Sequence, residues 1–158
     1  MLVEGTLPVS LTYRVDIDRE SGHTRFDGRM RGGVAPEQRL RMFGGGGDGW
    51  RVSTSTPEPS CAPELHGAYC IDLGWTPLTN TFAIWHLDLP IGGSGDITAA
   101  WVPFPILTPN PARQRYTRLS ERRYRYEQPD IDFTADLEVD DHGFVLTYGT
   151  IWERVSSA

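Results

Sequence analysis

Residues 132–148, DFTADLEVDDHGFVLTY, alternate polar and apolar side chains on both sides of a turn. Asp132, Thr134, Asp136 and Glu138 fall on one face of an extended chain, and Phe133, Ala135, Leu137 and Val139 on the other. Successive strand side chains point to opposite faces, so this is the pattern of a half-buried strand. Asp140-Asp141-His142-Gly143 supplies a turn, since Asp bonds its own backbone and Gly accepts positive φ. Phe144, Leu146 and Tyr148 then return. Pairing across that turn predicts Val139 opposite Phe144, Leu137 opposite Leu146 and Ala135 opposite Tyr148, all on one face.

The same period recurs upstream. Leu11, Tyr13, Val15 and Ile17 alternate with Thr12, Arg14, Asp16 and Asp18, then Thr24, Phe26, Gly28 and Met30 with Arg25, Asp27, Arg29 and Arg31. Residues 39–43 and 50–54 flank Gly44-Gly45-Gly46-Gly47-Asp48-Gly49, a third hairpin with a glycine turn. Residues 113–119 and 122–127 form a fourth about Ser120-Glu121. Residues 55–67, rich in Pro and Ser, read as the longest loop. Residues 68–73, 82–89 and 97–104 are apolar on both faces and read as strands that are fully buried or line a hollow. The period predicts no long helix and no internal repeat. The expected fold is therefore all-β: a long curved antiparallel sheet, an incomplete barrel around an apolar hollow, with little helix, in one domain spanning 1–158.

Composition bounds the function. A chain of 158 residues, 39% hydrophobic and 23% charged, is globular, and its net charge of −6 argues against a general nucleic-acid binder. Cys61 and Cys70 are too few for a disulfide scaffold. No signal-peptide pattern and no apolar run of about 18 residues occurs, so the expected location is the cytoplasm, without a membrane span. Gly44, Gly46 and Gly49 match the letters of a dinucleotide motif, but a strand follows where a helix is needed, and the turn reading wins. The four histidines lack metal-ligand spacing, and residues 136–143 lack the glycine of a calcium loop, so neither metal nor cofactor is expected.

Two clusters stay open. Arg113, Arg115, Arg118, Arg122, Arg123 and Arg125 interleave with Tyr116, Tyr124 and Tyr126, which suits anion recognition. With the tyrosines inward, however, Arg113, Arg115, Arg123 and Arg125 face outward beside Asp136, as an ion-pair ladder. Arg118 and Arg122 then lie at the rim of the tyrosine face. Trp75, Trp85 and Trp101 suit either a core or the wall of a cavity.

Residues 76–84 (TPLTNTFAI), 113–119 (RQRYTRL), 123–126 (RYRY) and 140–148 (DDHGFVLTY), in that order, resemble the bacterial "putative glycolipid-binding" family. That resemblance implies an incomplete barrel similar to the periplasmic lipoprotein carriers, a lipid or glycolipid partner in its hollow, and no transferred catalytic residues. Family members carry more chain before the stretch matching Leu11, and the motif's Pro before Ile84 is here Ala83, followed by Trp85 and His86. The expected ligand site is Trp75, Trp85, Trp101, Phe104 and Tyr116, with Arg118 and Arg122 at the mouth. Two other functions compete: a hydrolase of a sugar or lipid ester using paired carboxylates, and an interaction module with a filled core. A bare edge at residues 11–17 predicts a homodimer, through that edge or through the exposed aromatic mouth.

Overall fold

The computed structural model describes residues 9–32, 37–54 and 60–155. Two hydrogen-bonded sheets account for most of it. The first runs in chain order: β1 (Val9–Ile17), β2 (His23–Gly32), β3 (Gln38–Gly45), β4 (Trp50–Ser53) and β5 (Ser60–Cys61), every pair antiparallel. Seven strands make the second. Its order is β12 (Trp152–Glu153), β11 (Val145–Tyr148), β10 (Phe133–Val139), β9 (Arg123–Gln128), β8 (Asn110–Ser120), β7 (Ser94–Val102) and β6 (Cys70–Leu73). This sheet curls into a half-barrel. The two are joined at Tyr69, whose carbonyl accepts from the Gly46 amide at 2.8 Å and whose amide donates to the Thr98 carbonyl at 2.8 Å. Trp50 Nε1 donates to the neighbouring Ala68 carbonyl at 2.9 Å.

The first hairpin has the expected register, with Leu11, Tyr13, Val15 and Ile17 opposite Met30, Gly28, Phe26 and Thr24. The glycine turn forms as well. At Gly44, φ is +143°, and an added Cβ would lie 2.1 Å from the Gly49 carbonyl oxygen, so the strands can close this tightly only over glycine. Of the predicted long loop, residues 55–59 lie outside the described residues; Cys61 sits in β5 and Pro63–Leu65 forms a 3-10 turn.

Three expectations are corrected. Residues 82–89 are not a strand: Asn80–Leu87 is an α-helix, α1, entered through the 3-10 turn Pro77–Thr79 and ended by Asp88 in the left-handed region. Thr76 starts the turn by accepting from the Leu78 amide, and Pro77 has its φ already set for the first helical position. Because Asn80, Thr81, Phe82, Ala83 and Ile84 are all buried, the helix has no polar stripe, and its sequence period carries no helical signal. Next, β6 pairs parallel to β7, because the helix carries the chain across before β7 begins. Last, the β10–β11 register differs from the simple alternation. Leu137 pairs with Tyr148, and Val139 with Val145, so that Leu146 is the extra residue of a bulge. Asp140 sets this: its Oδ1 accepts from the amides of His142 and Phe144, holding Phe144 in the turn.

The sheet face bearing Ile71, Leu73, Ala100 and Val102, all at most 1% exposed, packs within one core with Phe26, Leu40 and Met42 of the first sheet. The concave face carries Ala112, Gln114 and Tyr116 on β8, Tyr124 and Tyr126 on β9, and Leu137 and Val139 on β10. The outer face carries the expected ladder. Arg123 and Arg125 reach Asp136 at 2.6 and 3.2 Å, Arg115 reaches Asp96 at 2.7 Å, and Arg113 pairs with Asp130. These exposed pairs satisfy the arginines without an external anion.

Candidate ligand-binding site

Helix α1 lies across the concave face and leaves a hollow at each of its ends. Tyr116, 1% exposed, sits beneath it and donates through its hydroxyl to Asn80 Oδ1 at 2.7 Å. At the helix's C-terminal end, Trp85 Nε1 donates to the His142 carbonyl at 2.7 Å, and Trp85 meets Phe144 edge-on at 5.5 Å.

The hollow at that C-terminal end is lined by Arg19, Ile84, Trp85, Asp88, Arg118, Glu121, Arg122, Tyr124 and the β10–β11 turn. Its arginines are already engaged with neighbouring groups. Arg118 donates to the carbonyls of Leu89, Ser120 and Glu121 at 2.9, 3.3 and 3.0 Å, which fixes the β8–β9 turn. Arg122 pairs with Asp141, Arg154 with Asp140 at 3.5 Å, and the Arg19 guanidinium covers the Trp85 ring at 4.7 Å.

The other hollow, about 380 Å³, opens beside the helix N-terminus. Its walls are aromatic: Trp75 and Trp101 on one side, and Tyr126, Phe133, Tyr148 and Trp152 on the other. Tyr126, Phe133 and Tyr148 form a mutually edge-on triangle with ring centres 6.0 to 6.1 Å apart. Trp75 is braced from behind by Tyr13 and Phe26 at 5.5 and 6.2 Å. Ile131 and Ile151, 64% and 66% exposed, stand at the mouth.

The deep end is polar. Asp72 shares the concave face of β6 and β7 with Cys70, Ala99 and Trp101. Its Oδ1 accepts from Thr79 Oγ1 at 3.1 Å and its Oδ2 from Gln114 Nε2 at 2.7 Å. Thr79 is aimed by accepting from the Leu73 amide, and Gln114 Oε1 lies 3.3 Å from the Tyr116 hydroxyl. No arginine lines this hollow. Asp72 keeps an intermediate exposure and borders the cavity, yet desolvation raises its pKa despite the two hydrogen bonds, which oppose the shift. Burial likewise raises the phenols of Tyr116, Tyr126 and Tyr148, with the neighbouring Asp72 adding to each.

The structure thus divides the residues expected at one site. Trp75 and Trp101 line the aromatic hollow, and Phe104 touches Trp75 at 6.4 Å from outside its lining. Tyr116 is enclosed beneath the helix. Trp85, Arg118 and Arg122 belong to the opposite end, because a helix, rather than a strand, carries Trp85 away from Trp75. Reading the sequence did not single out Asp72, Asn80, Gln114 or Trp152. Asp72 had a signal, a lone acid in an otherwise apolar strand, CIDL; Trp152 follows a turn with no alternation to place it.

A family model described as "Putative glycolipid-binding" matches residues 2–154. The chain belongs to that family. A solved structure of a DUF1089 family protein from Pseudomonas aeruginosa superposes with a TM-score of 0.83 at 31% identity, covering 94% of this chain and 79% of that one. No curated protein matches the chain. No described helix is long and apolar enough to cross a membrane, and no group of three or more metal-ligating side chains occurs among the described residues.

Proposed function

We propose that this protein binds a lipid or glycolipid, without catalysis, in the aromatic hollow of its half-barrel. The observation that carries the reading is the open cavity between Trp75, Trp101, Tyr126, Phe133, Tyr148 and Trp152. Burying aromatic and aliphatic walls against a ligand contributes about 25 cal/mol per Å² of apolar surface removed from water. An open, aromatic-walled hollow with a few polar groups at one end is also the usual form of a small-molecule site. The family description points the same way. Of the residues expected from the sequence, Trp75, Trp101 and Phe104 remain in this proposal, and Tyr116 acts as its buried support. Trp85, Arg118 and Arg122 are assigned to the second hollow, where their engagement with turn carbonyls and carboxylates favours a structural role.

Hydrolysis is less well supported. Glycoside cleavage by the two-carboxylate route needs a pair about 5 to 10 Å apart, and among the described residues Asp72 is the one carboxylate lining this hollow. In the second hollow, which Asp88 and Glu121 also line, Asp140 caps a turn and Asp141 pairs with Arg122. Native mass spectrometry and solvent extraction of freshly purified protein test the binding reading. A stoichiometric, extractable amphiphile is expected; repeated recovery of none, with no uptake of added detergent monomers, would overturn it.

For assembly, the reading is a two-fold dimer. Among the described residues β1 pairs only with β2, and its open edge carries Arg14 and Asp16, whose charges disfavour indiscriminate stacking but suit a specific pairing. Light scattering at micromolar concentration should give twice the mass of 17.7 kDa; a monodisperse monomer refutes it.

A further inference from the structure

The polar end of the aromatic hollow has a composition that an acyl chain does not use. Four polar side chains border it. Asp72 accepts two hydrogen bonds, from Thr79 and Gln114, while a carboxylate offers about four acceptor sites. Asn80 Oδ1 accepts from Tyr116, and its Nδ2 donates to the Pro77 carbonyl at 3.1 Å, so the amide cannot rotate. Gln128 Oε1 lies 3.3 Å from the Tyr126 hydroxyl, which leaves the Gln128 amide N–H groups without an acceptor among the described residues. Trp75 Nε1 is a buried donor without a partner among the described residues. Asp72, Asn80, Gln128 and Trp75 all line the hollow.

We propose that a hydroxylated head, such as a pyranose ring, enters this hollow first, with its hydroxyls on Asp72, Asn80 and Gln128, its ring face against Trp75 or Trp101, and its lipid portion at the mouth over Ile131 and Ile151. This rests on the binding reading above and adds the orientation and the headgroup class. A hydroxyl both donates and accepts, so a ring of them matches a floor that mixes spare acceptors on Asp72 with spare donors on Gln128. A cationic ammonium head offers no acceptor and would leave the Gln128 amide unanswered. Size agrees: at about 30 Å³ for each water-sized group, 380 Å³ holds roughly a dozen non-hydrogen atoms, one sugar ring and not a diacyl lipid. Apolar CH faces of a sugar stack on aromatic rings, while the exposed isoleucines at the rim suit the first carbons of a chain.

The test uses three amphiphiles with the same eight-carbon tail, each below its micelle concentration: octyl glucoside, octyl tetraethylene glycol ether and octyltrimethylammonium. Tryptophan fluorescence and calorimetry read binding to the wild-type protein and to Asp72→Asn, with a thermal melt to confirm folding. The glucoside should bind about tenfold or more tightly than the glycol ether, the effect of one or two hydrogen bonds, and Asp72→Asn should erase most of that preference. Gln128→Leu should weaken the glucoside in the same direction and replaces Asp72→Asn if that variant does not fold. Equal binding of all three overturns the head-first orientation and leaves lipid binding standing. Tightest binding of the trimethylammonium head overturns the hydroxyl assignment. Binding of none, with no co-purifying lipid, removes both readings.

Discussion

Replacing Tyr116 by Phe removes one oxygen atom from beneath helix α1 and changes almost nothing else in shape. That hydroxyl ties the first residue of the helix to the sheet: it donates to Asn80 Oδ1 at 2.7 Å, and Tyr116 is 1% exposed. A net hydrogen bond contributes about 0.5 to 1.5 kcal/mol, and a buried acceptor left empty costs about 1 to 3 kcal/mol. Asn80 is itself 5% exposed, and its Nδ2 is tied to the Pro77 carbonyl, so its oxygen has little freedom to find another donor. The expected loss is therefore about 2 kcal/mol, or roughly 4 to 8 °C in Tm for a chain of this size. Tyr126→Phe is the control. Its hydroxyl bonds Gln128 at a longer 3.3 Å beside the open hollow, so the expected loss is below about 1 kcal/mol. Urea unfolding followed by tryptophan fluorescence measures both, with unchanged m-values as the sign that only the native state has been affected. A cycle with Asn80→Ala should return a coupling of at least about 1 kcal/mol between Tyr116 and Asn80. If Tyr116→Phe unfolds within about 0.5 kcal/mol of wild type, the helix is not held to the sheet by this contact, and the division of the concave face into two hollows loses its physical basis.

Asp72 gives a pH signature. Its folded pKa is raised, so the protonated carboxyl is the form the fold favours; that contribution is complete below the unfolded value of about 3.9 and is lost as pH rises through the folded pKa. The stability of wild type relative to Asp72→Asn should fall across that window and then level off, and a pH-independent difference would contradict it. Asp136 and Asp140 have lowered pKa values, so their contribution is present above the unfolded pKa and lost on acidification, and Asp136→Asn should shift the acid limb in the opposite sense. Gly44→Ala should prevent the β3–β4 hairpin from closing, with loss of cooperative melting, because its Cβ would meet backbone, not a movable side chain; a native-like melt would refute the close approach. Arg115→Ala on the outer ladder should cost no more than about 1 kcal/mol and less still at high salt, since both partners of its pair are more than half exposed.

Where one face is polar and the other apolar, local sequence was sufficient. β1 with β2, and β8 with β9 and β10, follow from side-chain period and turn residues, and the Arg123–Asp136 contact follows from strand arithmetic because neighbours in a ladder lie at fixed spacing. The same arithmetic failed at Leu146, where a hydrogen bond from a turn aspartate shifts the register by means no alternation reveals. Residues 80–87 are apolar on every side, and whether such a run is a strand or a helix is decided by what surrounds it: here a sheet curled enough to receive a cylinder, and Tyr116 placed to hold its first residue. That single choice separates Trp85 from Trp75. It also leaves Asp72 as the floor of one hollow, bonded to Thr79 seven positions on and to Gln114 forty-two positions away. The sequence by itself determined the alternating strands, their inward and outward faces and the family. The site was decided only by tertiary structure, because a cavity is space left between elements distant in the chain, and no local pattern encodes the gap.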